Sequence, residues 1–291
     1  MPSQTIQWFP GHMAKTRRLI AENLKNVDAV IEILDARIPY SSQNPEIRKI
    51  CAAKPSIILL NKASLADPAV TKAFSEHYSN ANTVCIETDC ISGYGLSKIA
   101  PAIRQLCGEK LARYEEKGMV GRSLKAMVVC IPNVGKSSLI NKICGNKKAK
   151  VENRPGVTLN KQWVSTDIGI MLLDMPGVLW PKFEEASVGE NLAITGAIKD
   201  DVLDVESIAM ILCGRLRDRY PALLSARYKI EAIPSVDEAD NYDLLKLIGK
   251  KRGFVISGGE IDTERTANML LDEFRAGKIG RISLDIPNLE R

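Results

Sequence analysis

Five short apolar runs, alternating with helical patterns, set the limits on what this chain can fold into. They span 29–34, 57–60, 84–86, 126–131 and 170–173, and polar residues cluster where they end: Asp35, Asn61 and Asp174. Between them lie helical patterns near 44–53, 68–77 and 96–117, and a basic amphipathic stretch over 11–26 carrying Lys15, Arg17, Arg18 and Lys25. Short β-branched runs separated by helices predict a mostly parallel sheet with helices on both faces. In such open sheets, ligands sit where the strands end. After about residue 180 strand-like runs become rare. Helical patterns near 190–199, 205–219, 237–251 and 263–276 predict a second, helical domain. In the last of these Ala267, Leu270, Leu271 and Phe274 make one apolar stripe and Gly277 caps the end. The division falls at 1–181 and 182–291. The charged stretch 109–125, with Gly118 and Gly121, reads as a mobile connection.

Composition excludes several classes. Apolar residues make up 45% and charged residues 26% of 291, which rules out a collagenous or wholly disordered chain. No apolar run reaches the roughly 18 residues of a membrane span, and the N-terminal residues lack a signal peptide's apolar stretch. Seven scattered cysteines with no C-x-x-C, and two histidines, argue against structural zinc and for a reduced, cytoplasmic chain. The net charge of +5 suits an anionic partner.

The chemistry lies at the strand ends. Pro132-Asn133-Val134-Gly135-Lys136-Ser137, followed by Ser138, has the second half of a phosphate-binding loop. Such a loop needs backbone N–H groups aimed at phosphate oxygens, a lysine for the β and γ phosphates, and a hydroxyl for Mg²⁺. Its first glycine is replaced by Cys130, whose Cβ falls where backbone approaches phosphate. Asp174-Met-Pro-Gly177 ends the run at 170–173; its Asp suits the Mg²⁺ shell and its Gly N–H a γ-phosphate. Thr158, in Arg154-Pro-Gly-Val-Thr158, suits closure on Mg²⁺ when a γ-phosphate is present. Asn61-Lys62-Ala63-Ser64 has the shape of N-K-x-D, an element whose Asp accepts two N–H bonds from guanine. It precedes the phosphate loop instead of following it. Joining the old termini of an α/β domain and opening new ones permits this, because the strands keep their places in space.

These motifs, with Trp8-Phe-Pro-Gly-His-Met13, Asp35-Ala-Arg-Ile-Pro39 and Trp180-Pro-Lys-Phe183, make the chain resemble the circularly permuted GTPases of the bacterial ribosome biogenesis GTPase A family. The resemblance implies a fold, an α/β circularly permuted P-loop G domain followed by an α-helical domain. It also implies an activity, GTP hydrolysis to GDP in late assembly of the large (50S) ribosomal subunit. The alternative is a weakly hydrolysing, nucleotide-dependent scaffold on ribosomal RNA. The partners implied are the large-subunit precursor and its RNA, with no membrane and no DNA.

For the site, Lys136 is expected to neutralise phosphate charge, and Ser137, Thr158 and Asp174 to serve Mg²⁺. The nucleotide is expected to be held by Asn61, Lys62, Ser64, Thr88, Asp89, Asn133, Val134, Gly135, Ser138 and Gly177. Asn133 resembles the asparagine that holds K⁺ beside the phosphates in potassium-stimulated GTPases. Val178 and Leu179 stand where many small GTPases carry a water-orienting glutamine, so His12 is the resemblance's candidate for that role. Ser64 stands where the family has Asp, so the preference for guanine is expected to be weaker and Ser64→Asp to tighten GTP. Lys142, Lys147, Lys148 and Lys150, then Lys250, Lys251 and Arg252, then Lys278 and Arg281 are candidate RNA phosphate contacts.

Overall fold

The computed structural model describes residues 12–119, 121–145 and 162–287, with side chains in the first helix from Lys15 on. Thr158, the 147–150 lysines and the His12 side chain lie outside the described residues. The first part of the chain runs α1 (His12–Leu24), β1 (Ala29–Asp35), α2 (Pro45–Cys51), β2 (Ser56–Asn61), α3 (Pro68–Tyr78), β3 (Thr83–Glu87), α4 (Ile99–Leu106), α5 (Gly108–Glu116), β4 (Leu124–Cys130), α6 (Lys136–Ile143), β5 (Gln162–Ser165) and β6 (Ile170–Asp174). Asn44 and Asp67 start α2 and α3. Each side chain accepts from two amides of the first turn, and Pro45 or Pro68 occupies the first helical position.

The strands form one sheet in the order β3-β2-β1-β4-β6-β5, parallel except for β5, which runs antiparallel to β6. All seven residues of β1 are buried, so it is covered on both faces. The order places the ends of β1, β2, β4 and β6 side by side, and Asp35 pairs with Asn61 in register. The expected strands stand where the apolar runs lie. β5, with only Val164 of its four residues buried, carries no apolar run and is not visible in the pattern. The expected helix over 96–117 is divided: Cys107 leaves helical geometry at φ −103°, ψ 15°, and α5 continues from there. Residues 109–116 of the supposed mobile connection are therefore helix, and 124–125 belong to β4.

The second part comprises α7 (Ala186–Ile194), α8 (Val205–Arg219), α9 (Pro221–Tyr228), α10 (Asn241–Arg252) and α11 (Thr263–Arg275). α8 packs against all four others. The stripe Ala267, Leu270, Leu271 and Phe274 is buried, and Gly277 follows α11 with φ +70°. The chain then returns to the first part. The Ile282 and Leu284 amides donate to the carbonyls of Leu65 (2.9 Å) and Arg37 (2.7 Å). Asp285 accepts from the Ser41 amide and hydroxyl at 2.8 and 2.6 Å and from Asn191 at 2.8 Å, which joins three segments distant in sequence. Burial pushes the Asp285 carboxyl up, against those hydrogen bonds. One hydrophobic core runs through both parts.

Candidate active site

The phosphate loop begins where β4 ends. Asn133 takes φ +61° and Gly135 φ +101° before α6 starts at Lys136. A Cβ on Gly135 would collide with the Asn61 amide, so only glycine allows this approach. The turn leaves Ser137 and Ser138 exposed on the first turn of α6, where free backbone N–H groups favour an anion. Cys130 does not obstruct the loop. It is 4% exposed, its side chain lies within the core, and burial pushes its thiol up to about 12.

Lys136 Nζ donates to Asp174 at the end of β6. Three residues on, a Cβ on Gly177 would stand 3.2 Å from the Ile131 carbonyl and Pro132 nitrogen, so this turn and the phosphate loop are in contact. Val178 and Leu179 are buried, and the Val178 amide donates to Cys130 O at 2.9 Å. Neither side chain is available to orient a water.

The base side gathers around Asn61. Its Nδ2 donates to Val134 O at 2.6 Å and its Oδ1 accepts from the Cys90 amide at 2.9 Å. One side chain thus ties the 61–64 element to the phosphate loop, 73 positions later, and to the 88–90 loop. Lys62, at φ +62°, donates from Nζ to Asn133 O at 2.8 Å and pairs with Asp35 at 2.9 Å. The Ser64 hydroxyl donates to Asp89. Burial pushes the Asp89 carboxyl up. Hydrogen bonds from Ser64 and from the Ser92 and Ile91 amides outweigh it and hold the group below the usual range. Thr88 is fully buried and serves through its backbone, accepting from the Ala63 amide at 3.0 Å.

Asn133, expected to face a cation, donates its Nδ2 to Gly196 O beyond α7 at 2.6 Å. Its Oδ1 is the atom left for K⁺. Ser137 and Asp174 are hard oxygen donors beside the lysine and fit Mg²⁺. Thus Asn61, Lys62, Ser64, Asp89, Asn133, Val134, Gly135, Lys136, Asp174 and Gly177 converge on one edge of the sheet, with Ser137 and Ser138 at the helix start.

Sequence reasoning missed the support beneath them. Arg37 is 1% exposed, bonds Asp35 at 2.7 and 2.9 Å, and lies 5.3 Å over the Phe274 ring. Asp35 is also buried. Burial pushes its carboxyl up, but Arg37 and Lys62 together hold it far below the usual range. Its place after an apolar run was the signal available, shared with Asn61 and Asp174. Arg281 donates to the carbonyls of Ala63 (2.8 Å) and Ala66 (2.9 Å), so it grips the 61–66 loop. Arg252 pairs with Glu273 at 3.1 Å and lies 5.0 Å over Tyr228. Both guanidinia thus hold partners within the chain, and Lys250, Lys251, Lys278 and Arg281 are exposed.

Residues 125–218 match a family model described as 50S ribosome-binding GTPase. The chain is 45% identical over 282 residues to Ribosome biogenesis GTPase A of Bacillus licheniformis, covering 97% of this chain and 98% of that protein. It is 36% identical over 251 residues to Short integuments 2, mitochondrial, of Arabidopsis thaliana, covering 82% and 63%. Among solved structures, GNP-bound YlqF from T. maritima aligns with a TM-score of 0.61 at 26% identity, covering 94% of this chain and 99% of that one. A GDP-bound YlqF structure aligns at 0.62 and 25%, covering 93% and 99%.

Proposed function

The chain belongs to the ribosome biogenesis GTPase A family, and from that membership we propose how its residues divide the work. It is a GTPase of ribosome assembly with a permuted G domain, and the relatives favour hydrolysis over the weakly hydrolysing scaffold. The observation that carries the site reading is the Asn61 side chain, bonded to both the phosphate loop and the 88–90 loop. It assembles a guanine-reading element with a phosphate loop that follows it in sequence.

In this reading Lys136 leaves Asp174 for the β and γ phosphates and neutralises charge that develops during transfer. Ser137 and Thr158 would ligate Mg²⁺, and Asp174 would hold one of its waters. Bound there, the metal would offset phosphate charge. The Gly177 amide meets the γ-phosphate. His12, from the Phe-Pro-Gly-His segment, orients the attacking water. Asn133 Oδ1 ligates K⁺, and turnover is higher in K⁺ than in Na⁺ at matched ionic strength.

The partner is the large-subunit precursor and its RNA, met in the cytoplasm. The division at 181/182 separates the nucleotide-binding part from a helical part that contacts RNA. A second surface supports RNA contact. Lys25, Lys110, Arg122 and Lys125, with Tyr114, Trp163 and Asp28, which pairs with Lys110, line a cavity of about 440 Å³. Arg122 lies 4.5 Å over Tyr114 and Lys125 5.3 Å over Trp163. Cations interleaved with aromatic rings suit phosphates and unstacked bases. Among the described residues, no helix is long and apolar enough to cross a membrane.

The test is titration of GTP, GDP and ATP against the purified chain, then turnover with and without large-subunit precursors. Guanine nucleotides should bind at least tenfold more tightly than ATP, and the particles should raise turnover. Equal affinity for ATP overturns the guanine reading; turnover indifferent to the particles overturns the partner.

A further inference from the structure

We propose that Asp89, acting through Ser64, supplies the negative charge that selects guanine in this chain, the charge that Asp at position 64 supplies in the family pattern. The proposal rests on the guanine reading of the 61–64 element. Two loops carry it. The 61–64 and 88–90 loops are held in register by the Ala63 amide on Thr88 O (3.0 Å), the Thr88 amide on Leu60 O (2.9 Å) and the Cys90 amide on Asn61 Oδ1 (2.9 Å). Within that frame the Ser64 hydroxyl donates to Asp89 Oδ2. Asp89 Oδ1 accepts from the Ile91 and Ser92 amides, both at 3.0 Å, and the Asp89 amide donates to Tyr94 O at 3.0 Å. The carboxylate is fixed on its own loop and is 8% exposed.

An ionised carboxylate only accepts. The one proton of Ser64 is therefore committed to Asp89, and the oxygen of this exposed residue is left as an acceptor. Guanine presents N1–H at the position where adenine presents a bare nitrogen. A free hydroxyl turns to suit either base. A hydroxyl whose proton is held elsewhere accepts from guanine and opposes adenine, acceptor against acceptor. Ser64 alone would thus discriminate weakly, and the pair restores the discrimination. The expected effect of Ser64→Asp also changes sign. That substitution places two carboxylates in hydrogen-bond contact, and like charges in contact resist joint ionisation.

Calorimetric titration of GDP and ADP into the full chain at pH 8 tests this. Asp89→Asn frees the serine proton, so the GDP-to-ADP affinity ratio should fall at least tenfold. Ser64→Asp should weaken GDP about tenfold, and Ser64→Asp with Asp89→Asn should return GDP affinity to the parent value or above. A purely structural link between the loops would leave the double variant no better than either single one. Ser64→Ala should lower the ratio by the same factor as Asp89→Asn, and adding Asp89→Asn to it should change nothing further. Thermal melts identify any variant that fails to fold, and the Ser64→Ala pair then decides. A ratio unchanged within twofold in Asp89→Asn overturns the proposal, as does a Ser64→Asp chain that binds GDP as tightly as the double variant. A parent chain that binds neither nucleotide overturns this proposal and the guanine reading together.

Discussion

In the phosphate half of the cleft each functional group stands within a few residues of a strand end or helix start. Gly135, Lys136 and Ser137 open α6, and Asp174 and Gly177 follow β6. The lysine is paired with Asp174 at the end of β6, the strand beside β4. In the base half, Asn61, Lys62 and Ser64 also follow a strand, but their side chains are held from far away. Lys62 rests on Asp35, Asp35 on Arg37, and Arg37 on Phe274 of α11. Arg281 and the Ile282 amide grip the same loop from the returning tail. The phosphate side is set up mainly by strand ends and a helix start, with Asn133 tied to Gly196 O of the helical part, whereas the base side is held by a chain of buried ion pairs that reaches α11. Substitutions in the two halves should therefore fail differently.

The largest effect belongs to the phosphate half. Lys136→Ala removes the phosphate-loop cation proposed to meet the transferring phosphoryl group, and turnover should fall about 10³-fold. Asp174 loses its partner in a pair whose side chains are 10% and 15% exposed, so the melting temperature should also fall, by less than in Arg37→Ala, whose pair is 2% and 3% exposed. Single-turnover GTP hydrolysis alongside a thermal melt checks both. Parent-like turnover would mean the lysine is misassigned.

The base half should fail through stability. Arg37→Ala leaves Asp35 buried with only Lys62 as counter-charge. Breaking a buried pair costs about 3–5 kcal/mol, with the lower end expected here because Lys62 remains. Urea unfolding measures the loss, and GDP affinity should fall with it. A loss below about 1 kcal/mol would break the contrast between the halves.

Glu32 separates pH effects on the whole sheet from effects on either half. It lies mid-strand in β1, where burial raises its carboxyl from 4.5 to about 7 against a hydrogen bond from Gln43 and the charge of Arg48. Between those two values the folded chain keeps a proton that the unfolded chain has released. Stability from this group therefore falls as pH rises from about 4.5 to about 7, by up to about 3 kcal/mol at about 1.4 kcal/mol per unit. Glu32→Gln should match the parent near pH 4 and exceed its stability at pH 8. Urea midpoints of both chains at the two pH values decide it; equal differences at both would refute the assignment.

The halves also differ in how much of them the sequence reveals. Gly135, Lys136, Ser137, Asp174 and Gly177 are legible because local spacing and strand ends dictate them. The apolar runs of β1, β2, β4 and β6 are legible because burial on both faces demands continuous apolar residues, and edge strand β3, with only Ile86 buried, is legible through its short run at 84–86. β5 is not, since exposed Gln162 and Ser165 flank its single buried residue, Val164, and leave no apolar run to read. The division of 96–117 at Cys107 is equally hidden, because both pieces have helical composition. Arg281 and Lys278 look alike in sequence, two basic residues in a tail. Only the fold shows that one bonds loop carbonyls 215 and 218 positions away. The pairing of Ser64 with Asp89 lies 25 positions apart and needs both loops in place.

The smallest effect tests that last distinction. The Arg281 guanidinium donates to Ala63 O and Ala66 O, and the residue is otherwise exposed, so its removal costs about 1 kcal/mol of loop ordering. The 61–66 loop carries Lys62 and Ser64. Its loosening should therefore weaken GDP about fivefold, the factor corresponding to about 1 kcal/mol. Chemistry once GTP is bound should be unchanged, so kcat should hold while KM rises. Lys278→Ala removes an exposed cation three positions earlier and serves as the comparison. If both variants weaken GDP alike, net charge and not the carbonyl contacts is responsible. If Arg281→Ala lowers RNA binding and leaves GDP untouched, the arginine faces RNA after all and the tail does not brace the base half.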